Sequence, residues 1–163
     1  MRLRDNRLGL TLVEMVVVMA VLSILAAVSM PILRVSVKRA KEMELRRDLR
    51  TMRDALDAYK KLYDDGRILR EAGGSGYPKT LEVLVNGVDL TNTAPVNPGE
   101  TQLPTKIKLL RSIPTDPMTG SKDWGMRSNA DDPDTTTWGG QDVFDVFSRS
   151  DATALDGTKY SEW

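Results

Sequence analysis

An α+β protein, one long N-terminal helix packed on a small antiparallel β-sheet, is the fold class this sequence predicts. Three observations carry the prediction. An uncharged apolar run of 19 residues, Met15 to Leu33, stands near the N-terminus. Apolar residues then recur at a helical period from Leu45 to Tyr63. Short turn-bounded segments with β-branched and aromatic residues follow in the last third of the chain.

The apolar run comes first. At about 1.5 Å per residue it spans roughly 28 Å as a helix, close to the hydrocarbon thickness of a bilayer. The first nine residues of the chain, Met1 to Gly9, are polar and carry Arg2, Arg4 and Arg7 against Asp5. Positive charge ahead of a first apolar segment holds that end in the cytoplasm, although Arg34, Lys38, Arg39 and Lys41 follow the span closely. Read from the residues alone, the segment fits a secretory signal with Ala26 and Ala27 near its cleavage point, or an uncleaved single-pass anchor. Glu14 sits at the mouth of the run, where a carboxylate is costly unless it reaches the headgroups or meets a partner. A cut before Leu10 would free an α-amine four residues from Glu14. The amine of one copy could then pair with the carboxylate of the next, favouring one axial stagger in a low-dielectric setting. Pro31 removes one helical hydrogen bond, so it either loosens the helix or marks the membrane exit.

From Arg34 to about Asp64 the helix continues and turns amphipathic. Leu45, Leu49, Met52, Leu56, Tyr59 and Tyr63 form one stripe, and Arg, Lys, Asp and Glu fill the opposite face. Packing against the chain's own globular part explains the stripe better than a coiled coil, since the repeat is short. Asp64-Asp65-Gly66 reads as the stop.

Ala72-Gly73-Gly74-Ser75-Gly76 reads as a flexible connector. After Tyr77-Pro78, a short helix is predicted with Thr80 as N-cap and Leu81, Leu84 and Val85 on its apolar face. Residues 86–105 are turn-rich, with Pro95, Pro98, Gly99 and Pro104. Ile113-Pro114-Thr115-Asp116-Pro117 is a rigid turn. Strands are predicted around Lys122 to Arg127, Asp142 to Ser148 and Thr158 to Tyr160.

Composition limits the chemistry. The 163 residues contain no Cys and no His, which removes thiol nucleophiles, disulfides and imidazole-based catalysis or metal binding. The Gly-rich stretches lack a following Gly-Lys-Ser/Thr and are not phosphate loops. The formal net charge is zero, which argues against a nucleic-acid partner. An oxygen-liganded cation such as calcium is compatible with the residues present. Asp131-Asp132-Pro133-Asp134 reads as a solvated acidic loop, and Trp138-Gly139-Gly140 receives no chemistry.

Gly9, Leu10, Glu14 and the basic leader together resemble the class III signal of type IV pilins and type II secretion pseudopilins. Leu10 stands where those proteins usually have Phe. Tyr77-Pro78, Ile113 to Pro117, Phe144-Asp145-Val146-Phe147-Ser148, the acidic loop Ser150 to Gly157, and Trp163 are similar in order to the motifs of major pseudopilins. The resemblance implies a pilin-like fold, with a cleaved leader at 1–9, a membrane and filament-core helix at 10–33, and a periplasmic domain at 34–163 that includes the distal half of the helix. It implies a non-enzymatic subunit, cut by a prepilin peptidase after Gly9 and N-methylated at Leu10. Glu14 and Pro31 would serve assembly. The subunit would be anchored in inner-membrane lipid and then built into a helical homopolymer with minor pseudopilins, by a membrane platform and an ATPase. That polymer would drive export of folded proteins. The alternatives are a type IV pilin of a surface fibre and an anchored periplasmic module that does not polymerise. The resemblance also implies calcium in the last loop. Asp151 matches its first acidic ligand position and Asp156 is the candidate for a second, while Thr158 and Lys159 occupy the places of the family's Asp pair.

Overall fold

The computed structural model describes residues 11–69, 73–91 and 106–163, and within its first helix the side chains of 28–32 fall outside the description. The chain divides into two compact units, Met1–Ala40 and Lys41–Trp163.

Helix α1, Leu12–Asp64, contributes to both units. Thr11 starts it: the Glu14 amide donates to Thr11 Oγ1 at 3.2 Å and the Met15 amide to the Thr11 carbonyl at 3.1 Å. This satisfies a donor that has no partner inside the helix. The stop at Gly66 is as the sequence predicts. Gly66 adopts φ 68°, its amide donates to the Tyr63 carbonyl at 3.0 Å, and the Arg67 amide reaches the Leu62 carbonyl at 2.9 Å. Glycine is suited to this reversal because a Cβ would strain the left-handed conformation.

In the first unit the described apolar side chains lie open. Leu12, Met19, Ile24 and Leu33 are each more than three-fifths exposed, and Met15 through Val18, Val21, Leu22 and Leu25 are exposed as well. Ser23, a polar group in this run, donates its hydroxyl back to the Met19 carbonyl at 2.8 Å. Among the described residues no helix is long and apolar enough to cross a membrane. The apolar run of the sequence continues through 28–32, whose side chains lie outside the described residues.

In the second unit Leu45, Leu49, Met52 and Leu56 are buried, as their spacing predicts. They pack with Leu81, Leu84, Leu110, Trp124, Val143, Val146 and Tyr160 in one core. Each fully buried aliphatic side chain contributes about 1.5–3 kcal/mol. Tyr59 and Tyr63 extend the stripe to a second cluster around Leu62, Ile68 and Val88.

Helix α2, Glu82–Asn86, is preceded by Leu81 rather than by Thr80 as cap, and no side chain caps it. Thr80 instead offers its backbone carbonyl to the Val83 amide at 3.3 Å. Strand β1, Val88–Asp89, pairs antiparallel with β2, Lys106–Ile107. Strand β3, Gly125–Arg127, pairs antiparallel with β4, Asp145–Phe147, in the register Gly125↔Phe147, Met126↔Val146 and Arg127↔Asp145. The sheet is therefore two short ladders. The first lies partly in the segment read as turns, and the second lies where two strands were predicted. The third predicted strand, Thr158 to Tyr160, is different. Lys159 makes a single bridge to Thr153, and Tyr160–Glu162 forms a 3₁₀ turn that buries Tyr160 in the core. Burying that ring required the chain to coil, which overrode strand propensity. The connector also departs from expectation at Gly76, which is buried with φ 91° against Tyr63 and Lys60. A long helix followed by small antiparallel ladders is an α+β, pilin-like architecture.

Candidate functional site

The residues singled out for processing and assembly lie at the N-terminal end. Gly9 and Leu10 are outside the described residues, and Pro31 lies within the span of α1 with its side chain outside the description. Glu14 is described. It stands in the first turn of α1, where the helix dipole favours a negative charge. Its side chain is exposed, and no hydrogen bond or ion pair of its carboxylate occurs among the described residues. Thr11 was missed, although Thr11-Leu12-Val13-Glu14 has the Ser/Thr-x-x-Glu spacing of a helix start. By beginning the helix at Leu12, Thr11 places Glu14 in its first turn.

The motifs of the second unit are brought together by hydrogen bonds. The Tyr77-Pro78 pair meets the strand motif directly. The Val143 amide donates to the Pro78 carbonyl at 2.8 Å, and the Tyr77 and Phe144 rings meet edge to face with centroids 5.1 Å apart. The Ile113–Pro117 turn meets the far end of the same strand. Ser148 Oγ donates to Asp116 Oδ2 at 2.6 Å, the Met118 amide donates to Asp116 Oδ1 at 2.7 Å, and Trp124 Nε1 donates to the Pro114 carbonyl at 3.0 Å.

Arg53 ties α1 to both the strand and the end of the loop. Its Nε donates to Asp145 Oδ1 at 2.6 Å, and its Nη2 reaches the Val146 carbonyl at 3.1 Å and the Trp163 carbonyl at 2.8 Å. Arg127 approaches the same Asp145 at 3.5 Å and lies over the Phe147 ring. Sequence reading missed Arg53. It flanks the apolar stripe, four residues after Leu49 and three before Leu56, a spacing that could have marked it out from the other basic residues of α1.

The acidic segment Asp131-Asp132-Pro133-Asp134 is only partly the solvated loop that was expected. Asp132 and Asp134 are exposed, but Asp131 Oδ2 accepts the Ser128 amide at 2.7 Å and the Gly139 amide at 3.0 Å. These two amides hold its carboxyl below the usual range.

The two candidate calcium ligands lie in the last loop. Asp151 is exposed. Asp156 already uses both carboxylate oxygens: Oδ2 accepts from Arg46 at 3.0 Å, and Oδ1 accepts from the Thr158 amide and hydroxyl at 3.0 and 2.7 Å. The Thr158 contacts, and behind them Arg46, hold its carboxyl below the usual range. Among the described residues no group of three or more acidic side chains stands ready to hold a metal. Calcium takes six to eight oxygens, and a metal at Asp156 would have to displace Arg46 or share the carboxylate with it.

Residues 4–30 match the model of the prokaryotic N-terminal methylation motif. The match supports a pilin-like or pseudopilin subunit, and it implies a prepilin-peptidase substrate that polymerises into a filament. It covers both expected processing residues, Gly9 and Leu10, together with Glu14. The motif is shared by secretion pseudopili and surface pili and does not divide them. No curated protein and no solved structure matches the chain.

Proposed function

We propose that this protein is the structural subunit of a helical pseudopilus that drives folded proteins through a type II secretion system. One observation carries the reading. A helix apolar on every described face of residues 15–27, and exposed there, is headed by a carboxylate with no partner among the described residues. Such a helix needs lipid or other apolar helices around it. The methylation motif over the same residues supports this reading, in which the helix waits in the inner membrane and then enters a filament core.

In this reading a prepilin peptidase cuts after Gly9 and methylates the Leu10 amine. Glu14 receives the amine of a neighbouring copy, and head-to-tail contacts that do not close extend the polymer. Pro31 lets the helix loosen as it passes from lipid to filament. The domain 34–163 lies in the periplasm and forms the filament's outer surface. A membrane platform, an ATPase and minor pseudopilins build the filament. The order of the Tyr77-Pro78, Ile113–Pro117, Phe144–Ser148 and Trp163 motifs supports secretion over a surface fibre, and so does the absence of cysteine for the disulfide common in pilins.

The test has two parts. Mass spectrometry of the native protein is expected to find chains that begin at a methylated Leu10. Glu14→Ala is expected to insert in the membrane, yield no sheared filaments and abolish export. Native chains that retain residues 1–9 would overturn the filament reading and leave an anchored module. Filaments displayed on intact cells, with export unchanged by Glu14→Ala, would instead identify a surface pilin.

A further inference from the structure

The last loop carries a positive charge of its own. Arg46, on the second turn of α1 within the unit Lys41–Trp163, donates Nη2 to Asp156 Oδ2 at 3.0 Å. Its guanidinium also lies 4.1 Å over the Trp163 ring. Trp163 Nε1 donates in turn to Thr158 Oγ1 at 2.7 Å, and the Thr158 amide and hydroxyl both donate to Asp156 Oδ1. Arg46, Asp156, Thr158 and Trp163 therefore form a closed ring of contacts around the loop.

One turn earlier, Glu42 Oε1 accepts the Leu155 amide and the Tyr160 hydroxyl, each at 2.8 Å. Inside the loop the Ala154 amide donates to the Thr158 carbonyl at 2.7 Å. Loop 153–160 is thus fastened at its start, middle and end by protein groups.

We propose that Arg46 is the resident cation of this loop, and that the loop is calcium-independent although the resemblance assigns calcium to it. The chemistry of the donor set points this way. A metal at Asp156 would have to displace the guanidinium and the Thr158 donors, or sit beside a second positive charge. Thr158 and Lys159 replace the carboxylates that would offset that charge. The guanidinium also stacks on Trp163, a contact a calcium ion cannot make. The inference does not depend on whether the filament serves secretion or a surface fibre.

The test is hydrogen–deuterium exchange of the full chain in detergent, read over residues 153–160 with millimolar calcium or with a chelator. The wild type is expected to exchange alike in both. Arg46→Ala is expected to speed exchange in the loop by about threefold, the scale of one lost solvent-screened ion pair. Protection of β4 should be retained, which shows that the core is folded. Arg46→Lys should restore only part, since a lysine lacks the stacking fork. Should Arg46→Ala lose protection throughout, Asp156→Asn makes the same local comparison. Slower loop exchange with calcium in the wild type would overturn the proposal, as would unchanged loop exchange in the variant used.

Discussion

Ser148 Oγ donates a 2.6 Å hydrogen bond to Asp116 Oδ2, and both residues are fully buried. This bond fastens the proline-bounded turn to the end of β4, between residues 32 positions apart in sequence. The Ser148 hydroxyl also accepts the Ser150 amide at 3.1 Å, so it aims the start of the last loop. Ser148→Ala leaves one Asp116 oxygen without this partner in a water-excluded place. The expected cost is about 1–3 kcal/mol, read as a shift in the urea unfolding midpoint.

Gly125 faces Phe147 across the β3–β4 ladder, and a Cβ at Gly125 would run into the Phe147 ring. The ring is buried and cannot swing into solvent. Gly125→Ala is therefore expected to destabilise the domain by about 1–3 kcal/mol through overpacking. Thermal unfolding followed by circular dichroism measures it.

Arg53 joins α1 to Asp145, Val146 and Trp163 through one guanidinium. Arg53→Ala should cost about 1–2 kcal/mol, a figure kept small because the side chain is 39% exposed and water screens the pair. Arg53→Lys should recover little, because an ammonium cannot hold the carboxylate and two carbonyls in the same fork. Denaturant titration of both variants distinguishes lost charge from lost geometry.

Burial, followed by the hydrogen bond to Glu42, pushes the Tyr160 phenol up to about 12 from an ordinary 10.0. The folded state thus favours the neutral phenol. The stability this contributes is whole below the ordinary value and is lost as pH rises through about 12. Wild-type protein should lose stability more steeply than Tyr160→Phe between those values. Unfolding midpoints taken from neutral pH upward test the difference in slope.

Thr11 caps α1 through the Glu14 amide. Thr11→Ala should weaken the helix start by about 1 kcal/mol, while Thr11→Ser should preserve it. Hydrogen exchange at the Glu14 amide reads the effect directly. Filament yield should fall with Thr11→Ala, and less than with Glu14→Ala.

What could be read in advance was local. The stripe Leu45, Leu49, Met52 and Leu56 is set by a period of 3.6, which the window 45–56 displays by itself. The stop at Gly66 needs only one left-handed residue. Strands β1 and β2 were not legible, because two-residue strands carry no alternation and take their identity from each other. Thr158 to Tyr160 has strand-like composition, yet the core's claim on the Tyr160 ring turned it into a 3₁₀ turn. The Thr11 cap was available in the Thr-x-x-Glu spacing and was overlooked beside the louder carboxylate.

The sequence alone determined the apolar helix, the acid at its head and the methylation motif that spans them, since each depends on residue type at fixed spacing along one continuous element. Tertiary structure alone decided which charges are structural. Spacing from Leu49 puts Arg46 and Arg53 beside the apolar stripe, but only folding brings Asp156 and Asp145 to them. Ion pairing falls off within a few ångströms, so partners some 90 to 110 residues apart are chosen by the packing of the chain and not by its order.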